Sequence, residues 1–288
     1  MRNNILKNTL SKILLVIPGI LIILWVLLPI YWMIVASIVP EVQISRLHLF
    51  PRLDQLSLQN YIELLTPGDI IKVKARGIQR YLWNSVVIAS FVTVISLVAG
   101  SLAAYAISRI RFRGRDLFSG LILFTYVFPG TVLIAPIYLY VKSLGLSNSF
   151  AGVIFMELAG ILPFISWLLM GYFQELPIEI EESALVDGCN RLQVLLRIVL
   201  PISLPGLVTA AIYAFVASWD AFIIPLVILE ERDLWTLPIV LRHMIYGEYI
   251  KWGQLNGVAV ICAVVPAVLF GLIQKYIVRG LAAGAVKG

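Results

Sequence analysis

Apolar residues run in six long stretches, at about 13–37, 84–108, 117–141, 150–173, 204–229 and 255–278, separated by polar segments of very unequal length. Each stretch has the roughly 20 residues that a helix needs to cross a hydrocarbon core of about 30 Å. None alternates apolar and polar positions with a period of two over about ten residues, as a barrel strand does. The pattern predicts an all-α integral membrane protein with six transmembrane helices in one membrane domain, residues 1–288. The first stretch follows Arg2, Lys7 and Lys12 as a secretory signal would, but it is too long and no small-residue cleavage pattern precedes Glu41, so a retained span is expected.

Two of the polar segments are too large to be plain connectors. Residues 41–83 are mixed in character, with Phe50-Pro51 and then Leu58 to Tyr61 suggesting an extended piece that leads into a short helix. Residues 174–203 are acidic, carrying Glu175, Glu179, Glu181, Glu182 and Asp187, and they contain helix signals. Pro177 suits a first helical turn, where its missing N–H costs nothing, and the carboxylates after it suit the positive end of the helix dipole. A helix is predicted from about Ile178 to Gly188, which tolerates the left-handed conformation common at helix ends. A second amphipathic run follows, with Leu192, Leu195, Leu196 and Val199 at helical spacing, until Pro201 and Pro205 limit it.

Inside the spans, irregularities mark places of interest. Pro129-Gly130 and Pro136 bend or break the third, either as a moving part or as a static kink. Glu157 in the fourth and Asp220, beside Trp219, in the fifth are ionisable groups at membrane depth, in its outer half. Such groups are costly and rarely persist without a partner or a water-filled cavity to face. Tyr213 lies seven residues before Asp220 and so on the same helical face. An aromatic ring with a carboxylate suits the C–H face and the hydroxyls of a sugar, although on a helix face such a pair more often makes inter-helix hydrogen bonds.

Composition agrees with the pattern, at 60% hydrophobic and 13% charged residues. The net charge of +6 is spread along the membrane edges rather than gathered on one face, so it argues against nucleic-acid binding and for contact with membrane lipid. An even number of spans puts both termini on one side. Placing them in the cytoplasm leaves 12 Lys and Arg inside against 10 outside, or against 4 once the long segment 41–83 is set aside. The stronger sign is Arg109, Arg111, Arg113 and Arg115, four arginines at the ends of spans two and three. Their side is cytoplasmic, and so is the acidic segment; segment 41–83 is then extracellular.

Several chemistries are missing. There is no GxxxxGK[ST] phosphate loop, no HExxH and no cysteine–histidine cluster; the histidines are His48 and His243, and Cys189 and Cys262 make no disulfide framework. No catalytic residue, metal site or bound cofactor is expected, and the chain is read as a non-enzyme. A polar helix pair facing the cytoplasm between two spans offers a soluble partner something to grip.

That segment resembles the EAA loop of ABC importer permeases. The pattern stands here as Glu182-Ser183-Ala184, Asp187-Gly188-Cys189 and Ile198-Val199-Leu200-Pro201, with Ser183 and Cys189 where alanine is usual. Asn84-Ser85, Ala104 to Arg109, Arg113-Gly114-Arg115, Leu144-Gly145-Leu146, Ser218 to Phe222 with Pro225, and the ending Gly280 to Gly288 are similar to the carbohydrate importers of that family, in the subunit paired with a longer, more divergent partner. Asp220 departs from the asparagine more frequent there. The resemblance implies a type I importer-like fold and a plasma (inner) membrane location. It also implies partners: a second permease subunit in a heterodimer, two ATP-binding subunits that use ATP and magnesium, and an extracellular substrate-binding protein that delivers a carbohydrate. Glu182, Ser183, Ala184, Asp187 and Gly188 are implied to couple to the ATPase, with Leu192, Leu195 and Leu196 tying the loop to the bundle and the tail reaching the ATPases. Glu157, Tyr213, Trp219 and Asp220 are the substrate-pathway candidates. The alternatives are a permease for another solute, such as an amino acid or phosphate, and an ATP-independent secondary transporter.

Overall fold

The computed structural model describes residues 2–44, 49–66, 77–127, 130–246 and 250–285, with backbone alone at 2–15, 126–127 and 273–285. Among the described residues the only regular structure is helical. Four helices among the described residues are long and apolar enough to cross a membrane, Val16–Ser37, Ile78–Arg109, Phe150–Gln174 and Trp252–Leu272; two sharply bent pairs bring the number to six if each is one span. The chain divides into two compact units, residues 1–78 with 241–263, and residues 79–240 with 264–288.

The first unit holds α1 (Arg2–Ser37), α2 (Glu41–Ile44), a 3-10 turn at Leu53–Gln55 and α3 (Gln59–Leu65). It matches the extended piece and short helix expected after Phe50. Its polar groups finish helix ends, where backbone groups otherwise lack partners. The buried Asn60 amide donates to the carbonyls of Ser37 (3.0 Å) and Val39 (2.8 Å) at the end of α1. The Glu41 carboxylate accepts from the backbone N–H groups of Trp252 (2.9 Å) and Gly253 (2.8 Å), where the last helix begins. Gly253 is required there, because a Cβ would lie 2.4 Å from the Asn60 amide nitrogen.

In the second unit α4 (Ile78–Arg109) is followed by α5 (Arg115–Val127), α6 (Gly130–Ser143) and α7 (Phe150–Gln174). Helices α5 and α6 meet at 100°, so the third apolar stretch is broken where the Pro129-Gly130 pair predicted; Pro129 itself lies outside the described residues. Then come α8 (Ile178–Val186), α9 (Arg191–Val194), a π-helical turn at Leu195–Val199, α10 (Leu200–Ile202), α11 (Leu204–Trp219) and α12 (Ile223–Ile228); α13 (Leu237–Ile245) and α14 (Trp252–Ala285) each divide between the two units. Helix α7 is the centre of this unit, with α5, α6, α11 and α12 packed on it. The packing is close: a Cβ on Gly206 of α11 would lie 2.5 Å from the Tyr172 ring of α7.

The fifth apolar stretch differs from the expected continuous helix over 204–229. Helix α11 stops at Trp219, and α12 starts afresh at Ile223. Pro225 is the reason: it has no N–H to give the carbonyl of Ala221 and its ring would clash there, whereas it fits the first turn of a new helix. At the other end, the tail expected from Gly280 to Gly288 continues α14 as far as Ala285; Val286 to Gly288 lie outside the described residues.

Candidate functional site

The acidic helix forms where its signals put it. Pro177 is the N-cap of α8, Glu179 and Glu181 stand in its first turn, and Gly188 ends it with a φ of +91°. The Cys189 N–H returns to the Ala184 carbonyl (3.0 Å) and the Gly188 N–H to that of Leu185 (3.1 Å), the Schellman pattern that a left-handed glycine permits. Asn190 then caps α9 reciprocally with Gln193: its side chain accepts from the Gln193 N–H at 2.9 Å, and its own N–H donates to the Gln193 side chain at 2.8 Å.

Helical geometry divides α8 into two faces. Glu181 and Ala184, three residues apart, are buried. Glu182, Ser183, Val186, Asp187 and Gly188 are exposed, Val186 to 87%. Four of the five residues with an expected coupling role, Glu182, Ser183, Asp187 and Gly188, therefore share the open side, and Ala184 faces inward.

The inward carboxylate is the one that sequence reasoning passed over. Glu181 Oε1 lies 2.7 Å from Arg109 Nε, with the two side chains 2% and 8% exposed. Neither atom has a hydrogen-bond partner of good geometry, so their attraction is Coulombic rather than directed. The Tyr105 hydroxyl, one turn earlier on α4, donates to Glu181 Oε2 at 3.2 Å. Arg109 also donates from Nη2 to the carbonyls of Phe173 (2.5 Å) and Leu176 (2.7 Å), at the C-terminal end of α7, where a cation suits the helix dipole. One guanidinium thus joins α4, α7 and α8. The only signal in the sequence was the i, i+3 spacing of Glu181 and Ala184.

The leucines after the turn are sorted differently from expectation. Val194, Leu195 and Val199 are buried, whereas Leu192 and Leu196 are each 54% exposed. The π turn widens the helix at Leu195–Val199, so the inward face runs through 194, 195 and 199 instead of 192, 195 and 196.

The four pathway candidates fall into two places. Glu157 of α7 is 2% exposed, and Ser218 of α11 donates to its Oε2; Trp219 is also 2% exposed and stacks on Phe215. These two sit in the packing of α7 and α11. Tyr213 and Asp220 come together in an open groove of about 490 Å3, lined by Thr209, Val216, Pro266 and Phe270 as well. Phe164 of α7 supports the Tyr213 ring, with centroids 4.1 Å apart. A second cavity of about 420 Å3 lies where the two helix breaks meet. Thr125, Gly130 and Thr131 line it from one break, Ala221 and Phe222 from the other, and Ala159 and Gly160 from α7. Neither threonine stood out in the sequence. Among the described residues no three His, Cys, Asp or Glu side chains are placed to hold a metal ion.

Residues 96–283 match the family model described as "Binding-protein-dependent transport system inner membrane component". The chain is 35% identical over 284 residues to the trehalose/maltose transport system permease protein MalG of Thermococcus litoralis, covering 98% of this chain and 99% of that one. It is 30% identical over 284 residues to the inner membrane ABC transporter permease protein YcjP of Escherichia coli, with the same coverage of 98% and 99%. Among solved structures, a chain of a bacterial ABC transporter involved in import of the acidic polysaccharide alginate superposes with a TM-score of 0.77, over 94% of this chain and 97% of that one, at 22% identity.

Proposed function

Since the chain belongs to the family of binding-protein-dependent transport system inner membrane components, we propose that it is one permease subunit of an ATP-driven sugar importer, forming half of a translocation pathway in the inner membrane. The observation that carries the coupling role is the two-faced α8. Its inner face is fixed to α4 and α7 through Glu181 and Arg109, and its outer face presents Glu182, Ser183, Val186 and Asp187. A helix used only to bridge two spans needs no such unoccupied polar face.

In this reading the partners are a second permease subunit, two ATP-binding subunits and an extracellular substrate-binding protein. ATP and magnesium are used by the ATP-binding subunits, since this chain has no phosphate loop. Both termini and α8 face the cytoplasm, on the side of the arginines between α4 and α5. Helix α8 seats on an ATPase with Glu182 and Asp187 as contact charges, Ala184 packing behind them and Gly188 making the turn that presents them. Closure of the ATPases on ATP then drives the spans between inward-facing and outward-facing forms.

The sugar reading draws support from the trehalose/maltose permease among the relatives and from the groove that holds Tyr213 and Asp220. The half-exposed Tyr213 ring offers a flat apolar surface, and the Asp220 carboxylate accepts hydrogen bonds from hydroxyls. Glu157 acts behind that surface, holding α11 to α7 through Ser218, while Trp219 stacks on Phe215 within α11. The test is uptake into proteoliposomes that contain the chain with its ATPase, partner permease and binding protein. ATP-dependent accumulation of trehalose or maltose is expected. Uptake of an amino acid or phosphate in their place would overturn the sugar assignment, and ion-driven flux from the chain alone would overturn the ATP-driven one.

A further inference from the structure

We propose that Arg109 and Glu181 form a strut that makes α8 move as one body with the C-terminal ends of α4 and α7, while a compliant joint between Gly188 and Ser203 separates α8 from α11. The inference rests on the reading of α8 as the contact with an ATPase.

The strut is multiply attached. Arg109 belongs to the last turn of α4, donates to Phe173 and Leu176 at the end of α7, and pairs with Glu181 of α8. Tyr105, four residues before Arg109 and so on the same face, holds the other oxygen of the Glu181 carboxylate. The directed bonds, from Tyr105 to Oε2 and from Nη2 to Phe173 and Leu176, together with the Coulombic attraction at Oε1, resist sliding of α8. A buried ion pair contributes little net stability, because desolvating both charges offsets most of their attraction and an apolar pair of similar volume does as well. What the planar guanidinium supplies, and an apolar contact does not, is a fixed relative position.

The route from α8 to α11 has the opposite character. It passes the left-handed Gly188, then the π turn at Leu195–Val199, then a bend of 84° at Ser203. The Ser203 hydroxyl is buried and has no hydrogen-bond partner among the described residues. The glycine turn, the π turn and the bend each interrupt the regular hydrogen-bond ladder that would otherwise carry a displacement along one continuous helix. A displacement of α8 therefore reaches α4 and α7 directly. Carried along α7 as one rigid helix, it reaches the 420 Å3 cavity about 20 Å further on, at 1.5 Å per residue, where Met156, Ala159 and Gly160 form one wall.

The test uses the complete complex with its ATPase in lipid nanodiscs, in a Cys189→Ala/Cys262→Ala background. Spin labels are attached at Glu179→Cys on α8, paired with Leu102→Cys on α4 or with Leu204→Cys at the start of α11; all three positions are exposed. Distances are compared without nucleotide and with Mg·ATP trapped by vanadate. The expected result is an unchanged 179–102 distance and a 179–204 shift of about 2 Å or more, the scale of helix shifts in switching proteins. In the Arg109→Met/Glu181→Leu double variant, whose apolar pair keeps the site filled, the 179–102 distance is expected to shift too. The strut is overturned if 179–102 changes as much as 179–204 in the unaltered pair, or if the double variant behaves as the unaltered protein does. Failure of the ATPase to co-purify with the unaltered chain would instead overturn the ATPase reading, and the strut's role with it.

Discussion

Glu181 and Glu63 each fasten a short helix to a long one, and they do so by opposite means. Glu181 of α8 is 2% exposed and meets an arginine that is 8% exposed. Glu63 of α3 is 42% exposed; it accepts from Gln59 at 3.0 Å and from Gln254 of α14 at 2.6 Å, and Lys251 lies 3.8 Å away. Water screens the Glu63 cluster, so each contact there contributes little and can be replaced by solvent. Burial removes that substitute from Glu181: its charge is tolerable only while Arg109 is in place. The same residue type is a replaceable fastener in one region and an obligatory positioning element in the other, and the surroundings decide which.

The buried pair is the more fragile of the two. Glu181→Ala leaves the Arg109 guanidinium buried without its counter-charge, a loss of about 3–5 kcal/mol. The expected outcome is little folded protein in the membrane, read as the monodisperse peak after detergent extraction; Arg109→Met/Glu181→Leu is expected to restore it. A restored yield with the double variant separates charge burial from a simple packing defect. Gly188→Val, next in size, forces a β-branched residue to a φ of +91°, a strain of about 1–2 kcal/mol at the turn that presents the contact face. Uptake per ATP hydrolysed is expected to fall about tenfold, the factor matching that energy. Insertion should be unaffected.

Around α3 and the start of α14 the effects run from comparable to small. Gly253→Ala drives a methyl group into the Asn60 amide and costs about 1–3 kcal/mol, as overpacking does, read as a lowered unfolding temperature. Glu41→Ala removes the carboxylate that caps α14 at Trp252 and Gly253, with a loss of about 0.5–2 kcal/mol. Glu63→Gln is the mildest, at most about 1 kcal/mol. It carries a pH signature: the hydrogen bond from Gln59, with help from Gln254 and the Lys251 charge, holds the Glu63 carboxyl below its ordinary 4.5 against a smaller opposing effect of burial. Its pKa is thus lower in the folded state than in the unfolded one. Its contribution is complete above 4.5 and disappears as the pH falls through the folded value. The gap in unfolding temperature between the unaltered protein and Glu63→Gln should therefore close on acidification; a gap that widens would contradict the depressed carboxyl.

The outline of both regions was legible along the chain. Pro177, the acidic first turn and Gly188 are local signals, and they place α8 within a residue of where it lies. Phe50-Pro51 and the run from Leu58 located α3, and Pro129-Gly130 located the break between α5 and α6. What escaped was the break after Trp219: Pro225 stood in view, but a run of apolar residues on both sides reads as one span when only length and hydropathy are considered. The faces escaped as well. Leu192, Leu195, Leu196 and Val199 fit helical spacing, yet the π turn selected 194, 195 and 199 for burial, and nothing in residue types announces a π turn.

By itself the sequence determined most of the elements, the break after Trp219 and the π turn excepted, because helix propagation, capping and membrane insertion depend on neighbours within a few residues. It determined that an acidic helix lies between spans and that this helix ends in a left-handed glycine. Only the tertiary structure decided which of its carboxylates is the strut and which are left for a partner. Glu181 and Glu182 are adjacent and chemically alike, and they differ only in the side of the helix on which they fall. The guanidinium that distinguishes them comes from Arg109, far away in the chain, and such pairings form only when packing brings distant helix ends together.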